Sequence, residues 1–196
     1  MKLHQVAGAL VCAGIMIAST AAIAEEEHRE LGPHVHGHGT LAIAFEADKV
    51  QMEFTAPGMD IVGFEHSAET DDQTTAVEKA LADLKEPLKY FSFPTTAGSR
   101  VSATDVKTVA EEHEDHEEHV DETHAEGKAG PKDHEDHHNE FQAIYLLICT
   151  DPAQISRIDF PFFDRFSGSQ ELNVTIIDAS GQKVFEVSRD APRLDR

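Results

Sequence analysis

The chain has 196 residues, with 16 Lys and Arg against 37 Asp and Glu, 13 His, 2 Cys and no Trp, for a formal charge of −21. That length suits one domain or two small ones, and 40% apolar residues are enough to build a core. The acidity excludes nucleic acid, whose phosphates nothing here could neutralise, and it excludes an anionic membrane surface; acid combined with histidine points to a cationic partner such as a metal ion.

Residues 1–24 have the features of a secretory signal peptide. Lys2 supplies the positive start, Val6 to Ala18 the apolar stretch, and Ala22-Ile23-Ala24 the small-residue cleavage site. The apolar run is too short for a membrane anchor, and Glu25-Glu26-Glu27 follows it at once. Cleavage after Ala24 predicts an exported, soluble chain with no stable membrane insertion, carrying 15 basic and 37 acidic residues, a charge of −22. It also leaves Cys149 as the one cysteine, so no internal disulfide can form. Lying in Ala-Ile-Tyr-Leu-Leu-Ile-Cys-Thr, Cys149 is expected to be a small buried core residue.

The sequence predicts an α+β fold, mainly antiparallel β in two small related subdomains, residues 25–110 and 141–196, with a His- and acid-rich loop at 111–140 between them. Leu41–Phe45 and Val50–Phe54 read as strands joined through Ala47-Asp48-Lys49, with Pro57-Gly58 ending the second. After Thr70-Asp71-Asp72, the residues Val77, Leu81, Leu84 and Leu88 recur at i, i+4, i+7 and i+11, predicting one helix near 71–88 with a core-facing stripe. Residues 88–93 and 100–109 are expected to return to the sheet. Phe141–Cys149, Ile155–Phe160, Leu172–Asp178 and Lys183–Ser188 are further strands, the last two joined by a hairpin turn at Ala179-Ser180-Gly181. Phe160, Phe162, Phe163 and Phe166 form an aromatic cluster expected to pack on that sheet. A faint echo between 54–63 and 160–168, each running strand, Pro, Asp, Gly, suggests that the halves are related, although two unrelated hairpins would share as much.

The histidines are concentrated. His28, His34, His36 and His38 lie close to the new N-terminus, His66 stands by itself, and His113, His116, His119, His124, His134, His137 and His138 crowd the insert. In an extended chain, alternate residues face one side roughly 6.5–7 Å apart, so two imidazoles of an H-x-H can converge on one zinc; a third would stand about 13 Å from the first unless Gly37 or Gly39 bends the chain. A ligand from elsewhere is then needed, and His66 is the histidine of the folded part available for it. Residues 111–140 hold 13 acids, two Lys and seven His, with little to bury, which predicts a disordered segment that collects several ions weakly. Imidazole with carboxylate suits Zn2+ first and Ni2+ or Cu2+ behind it, while the scarcity of Cys and Met argues against Cu(I). The H-x-x-H spacings of the insert fall one residue short of the H-E-x-x-H of metalloproteases, and neither a G-x-S-x-G nor a phosphate loop is present, so no catalysis is expected.

The combination of His34-Val35-His36-Gly37, Asp60-Ile61-Val62-Gly63-Phe64-Glu65-His66 and a later His/acid-rich insert resembles the ZrgA-like periplasmic zinc-binding proteins of Gram-negative bacteria, over nearly the whole mature chain. The resemblance implies a soluble periplasmic protein that works with a zinc uptake system at the inner membrane. It also implies a two-part β-rich fold with a His-rich loop between the halves, and His34, His36 and His66 as zinc ligands. Many members of the family carry a Cys near the position of Ser99, able to pair with the match of Cys149; with Ser99 here, Cys149 is expected to be unpaired. The rival readings are a periplasmic metal buffer or resistance protein, a zinc hydrolase built on His34, His36 and a carboxylate, and a scaffold in which the histidines are incidental.

Overall fold

The computed structural model describes residues 35–110 and 138–196. The signal peptide, His28, His34 and the insert histidines from His113 to His137 lie outside them. In chain order the elements are β1 (His38–Glu46), β2 (Lys49–Pro57), α1 (Gly58–Val62), α2 (Asp71–Leu84), α3 (Pro87–Tyr90), β3 (Arg100–Ala110), β4 (Asn139–Ile148), β5 (Arg157–Asp159), α4 (Phe162–Arg165), β6 (Glu171–Asp178), β7 (Gly181–Ser188) and β8 (Arg193–Asp195). Six strands form one sheet in the order β3-β4-β2-β1-β6-β7, and β5 with β8 forms a small second one.

The hairpin β1–β2 closes through Ala47-Asp48, with Glu46 opposite Lys49, as the sequence predicts. Two strands alone bury too little to be stable, so both edges of the hairpin are used. On one side β4 pairs antiparallel with β2, and on the other β6 pairs parallel with β1. Strands from the two sides of the insert are thus interleaved, and the described residues fall within one compact unit. The expected division into two subdomains is therefore not seen as two sheets. The echo between 54–63 and 160–168 is local: Pro57 precedes α1 and Pro161 precedes α4, but β2 is a nine-residue strand of the large sheet whereas β5 has three residues.

Alternation fixes which face is inside. Leu41 and Ile43, Val50, Met52 and Phe54, Ala143, Tyr145 and Leu147, and Leu172, Val174 and Ile176 are all buried, while their neighbours on the opposite face carry Ile144, Ile177 and Val184 to solvent. The buried face meets the helices through a cluster of rings. Phe162 of α4 lies 5.3 Å from Phe54, 5.6 Å from Phe91, 5.5 Å from Phe163 and 5.0 Å from Phe166, centroid to centroid. The four phenylalanines 160, 162, 163 and 166 are buried, as their clustering in the sequence predicts.

Helix α2 starts where the sequence places it, at a capping box: Thr70 Oγ1 accepts the Gln73 N–H and Gln73 Oε1 accepts the Thr70 N–H, each at 3.2 Å. It ends at Leu84 rather than running to 88, because the residue before Pro87 is driven out of the helical region; Glu86 has ψ 63°, and Leu88 belongs to the separate α3. Residues 88–93 accordingly supply one bridge, Ser92 to Asp159, and no strand, while β8 is a strand the sequence reading missed. β4 begins at Asn139, so the last residues assigned to the insert belong to the sheet.

Cys149 is buried and unpaired, and its Sγ stands 3.2 Å from Ser99 Oγ. The two positions are therefore neighbours in space although 50 residues apart. Ser99→Cys should form a disulfide with Cys149 under mild oxidation, with both thiols lost to a thiol reagent. The long loop it closes should raise unfolding free energy by about 2–4 kcal/mol. A variant that oxidises only between molecules would contradict the contact.

Candidate metal centre

The sheet's pairing gathers four segments at one of its ends. Because β1 and β2 are antiparallel, the start of β1 lies beside the end of β2, with Thr40 opposite Thr55. The end of β2 in turn meets the start of β4, Pro57 opposite Glu140, and the parallel β1–β6 pair sets His38 opposite Glu171. The entry to β1 at 35–38, the exit from β2 at 58–66, residues 138–140 and residues 170–171 therefore converge, although they span over a hundred residues of sequence.

The entry is a turn. The His38 N–H donates to the Val35 carbonyl at 3.1 Å, and Gly37, with φ +87°, takes the left-handed conformation that such a turn demands. The Gly37 carbonyl accepts the N–H groups of Gln170 and Glu171 at 2.8 and 2.9 Å, and the Gly37 N–H donates to Asp60 Oδ1 at 2.7 Å. Extended H-x-H geometry is thus replaced at His36 by a bend. As a result the two histidines face different carboxylates: His36 Nε2 stands 2.8 Å from Glu65 Oε1, and His38 Nδ1 stands 3.3 Å from Glu171 Oε1.

Glu65 is the centre of the arrangement. Its side chain is 11% exposed, and while Oε1 approaches His36, Oε2 accepts from His138 Nδ1 at 2.7 Å. Two imidazoles from distant segments thus share one carboxylate. Burial pushes the Glu65 carboxyl up, but the hydrogen bonds and charges of His138 and His36 outweigh it, and the net shift is below the ordinary carboxylate range. Asp60 goes the other way. It is 2% exposed, and desolvation dominates, so its carboxyl is held above the usual range despite the Gly37 N–H and the nearby His36.

The segment carrying Glu65 is clamped by backbone. The Asn139 N–H donates to the Glu65 carbonyl at 2.7 Å, and Gly63, with φ +86°, ends α1. Gly58 is so tightly enclosed that a Cβ there would stand 2.6 Å from the Phe64 carbonyl oxygen and 2.9 Å from that of Asn139. On the other side, a Cβ on Gly168 would stand 2.7 Å from the Asp60 carbonyl oxygen.

Of the histidines predicted as ligands, His36 and His138 are brought together through Glu65, and His38 lies at the same end of the sheet with Glu171. His66 is exposed; its ring stacks on Phe64 at 5.1 Å and its Nδ1 lies 2.7 Å from the Ser67 carbonyl oxygen, and no contact joins it to His36 among the described residues. His34, His113, His116, His119, His124, His134 and His137 lie outside those residues. Among the described residues, no three His, Cys, Asp or Glu side chains are already arranged to hold an ion. Two zinc donors bonded at about 2.0–2.1 Å in a tetrahedron stand about 3.3 Å apart, so admitting an ion between His36 and Glu65 requires a separation slightly wider than 2.8 Å. The sequence reading missed the carboxylates Glu65, Asp60 and Glu171, together with the buried Glu140. The signal for the first two was at hand, since both lie within the Asp60–His66 motif.

The tight packing of Gly58 gives a direct check. Gly58→Ala sets a methyl group against two carbonyl oxygens of the backbone, neither of which can swing aside. Urea denaturation should show a loss of about 1–3 kcal/mol; an unchanged midpoint would mean that the segment is not clamped as described.

No curated protein matches the chain at a significant level of similarity. A protein-family comparison does: residues 33–196 match the family described as ZrgA family zinc uptake protein, in agreement with the resemblance carried by the His34–Gly37 and Asp60–His66 motifs. The match covers all the described residues and all the convergent ones around Glu65, and the chain belongs to the ZrgA family of zinc uptake proteins.

Proposed function

We propose that this chain is a periplasmic zinc-binding protein that captures the ion and supports its uptake through a transport system of the inner membrane. Family membership supports the zinc-uptake role, and the N-terminal residues 1–24 support export. The observation that carries the reading is the sharing of the Glu65 carboxylate by His36 and His138. Imidazole nitrogen and carboxylate oxygen are the donors that zinc accepts, and here they come from segments that the sheet fixes in place. His66 suits the role of a further ligand: an N–H on Nδ1 donated to the Ser67 carbonyl leaves the lone pair on Nε2, the orientation that metal-binding histidines commonly take. His34 and the insert histidines are the other candidates, the insert serving as a weak collector.

The insert is tied to this same place. β3 ends at Ala110 and β4 begins at Asn139, and the two residues stand opposite each other. An ion held loosely between 111 and 137 is therefore attached to the chain at the edge of the ordered ligands, which raises its effective concentration there. The strongly negative charge of the chain adds a long-range attraction for divalent cations.

The test is a competition titration with zinc on the chain from Glu25 onward, set beside His36→Ala, Glu65→Ala and His138→Ala. Each variant should lose the tightest site while keeping the weaker ones, and three variants that bind as the parent does would sink the reading. Acid should release the ion, because an imidazole must shed its proton to ligate. Affinity should therefore fall steeply between pH 7.5 and pH 5. Equal affinity at the two pH values would contradict imidazole ligation.

A further inference from the structure

Asp60 lies at the heart of the Asp60–His66 motif, yet it touches neither His36 nor His138 through any contact described above. It is nonetheless, with Glu140, one of two deeply buried carboxylates at this end of the sheet, each 2% exposed. One oxygen is spoken for by the Gly37 N–H at 2.7 Å, a length typical of a hydrogen bond to an ionised acceptor. The other, Oδ2, is buried and has no hydrogen-bond partner among the described residues. Burying a carboxylate with half its capacity unused costs free energy, so the retained bond must accomplish something that an apolar residue could not.

What it joins is specific. Gly37 lies between His36 and His38, and its carbonyl is already tied to Gln170 and Glu171. Asp60 lies in α1, five residues before Glu65, and its backbone is backed by Gly168 at a distance that no side chain could share. Arg189 secures that backing, since its guanidinium donates to the carbonyls of Phe163, Phe166 and Ser169 on either side of Gly168. Arg189 thus holds the loop on either side of Gly168, Gly168 is packed closely against the Asp60 backbone, and Asp60 bonds Gly37, one residue from His36. The same short helix leads on to Glu65. The interval between the His36 ring and the Glu65 carboxylate is thus set on both sides by elements that Asp60 bolts together.

We infer that Asp60 is a positioning residue for zinc binding: by accepting the Gly37 N–H, it fixes the His36 turn against the segment that presents Glu65. This rests on the reading of Glu65, His36 and His138 as the ordered site. Partners that orient metal ligands in this way are typically worth about 10- to 100-fold in affinity.

The experiment compares Asp60→Ala, Asp60→Asn and His36→Ala in the full exported chain, with zinc as the probe. Zinc affinity and stoichiometry are read by competition titration, and exchange of the Gly37 amide is read by NMR in zinc-free protein. Asp60→Ala should speed Gly37 exchange and weaken the tight site about 10- to 100-fold at unchanged stoichiometry. Asp60→Asn, which keeps an acceptor oxygen for Gly37, should recover most of the loss. Faster exchange with unchanged affinity would overturn the inference, since the bond would then be structural only. A loss as large for Asn as for Ala would overturn it too, pointing to direct ligation or to charge. His36→Ala separates the two levels. If it weakens zinc while Asp60→Ala does not, the inference alone falls; if His36→Ala has no effect, the site itself was misread. Should Asp60→Ala fail to fold, Gly168→Ala displaces the same anchor with the carboxylate intact, and unchanged affinity in that variant overturns the inference equally.

Discussion

The parallel pairing of β1 with β6 is the constraint on which the rest of the molecule depends. Without it, the first stretch of chain would be a hairpin with one edge covered by β4, and the last two long strands would have no sheet to join. With it, β1 is enclosed on both edges, and His38 stands level with Glu171 at the end of the sheet where β2 exits and β4 enters. The candidate metal centre is a consequence of strand direction. Three antiparallel or parallel choices bring four segments to one end, and no side chain near Glu65 had to be near any other in the sequence.

Electrostatics at that end follows from the same geometry. Two carboxylates lie within one turn and a half of chain, yet their environments push them in opposite directions. Asp60 is sunk beneath the turn with one hydrogen bond, and Glu65 lies nearer the surface between two imidazoles. The shallower carboxylate is the one that two imidazoles share. The deeper one is held by backbone, and its contacts are those of a structural anchor.

Much of this was legible in the sequence, for identifiable reasons. Strands with strict alternation, such as Val50–Phe54, and the helical spacing of Val77, Leu81 and Leu84 are local properties, and the chain states them directly. Cys149 and Ser99 were linked through a resemblance alone, and their contact at 3.2 Å bears it out. That strands from both sides of the insert share one sheet was not legible, because strand order is not a local property. Nothing in Phe141–Ile148 says that it lies between β2 and β3. The same blindness hid Glu65 and made His138 one more insert histidine, although it is the last residue before β4 and meets the Glu65 carboxylate. Reading the histidines as the metal-bearing residues drew attention away from the acids in their midst.

One detail of the sheet bears on how this chain can change. The pairing of β3 with β4 runs up to Ala110 opposite Asn139, where the ladder is complete. Residues entered or removed between those two positions, short of His138, neither break a rung nor alter which strand lies beside which. The number of histidines there and the integrity of the sheet are thus separate variables, one adjustable by insertion and deletion, the other by substitution in the core. A chain so divided can change the number of its histidines there without renegotiating its fold.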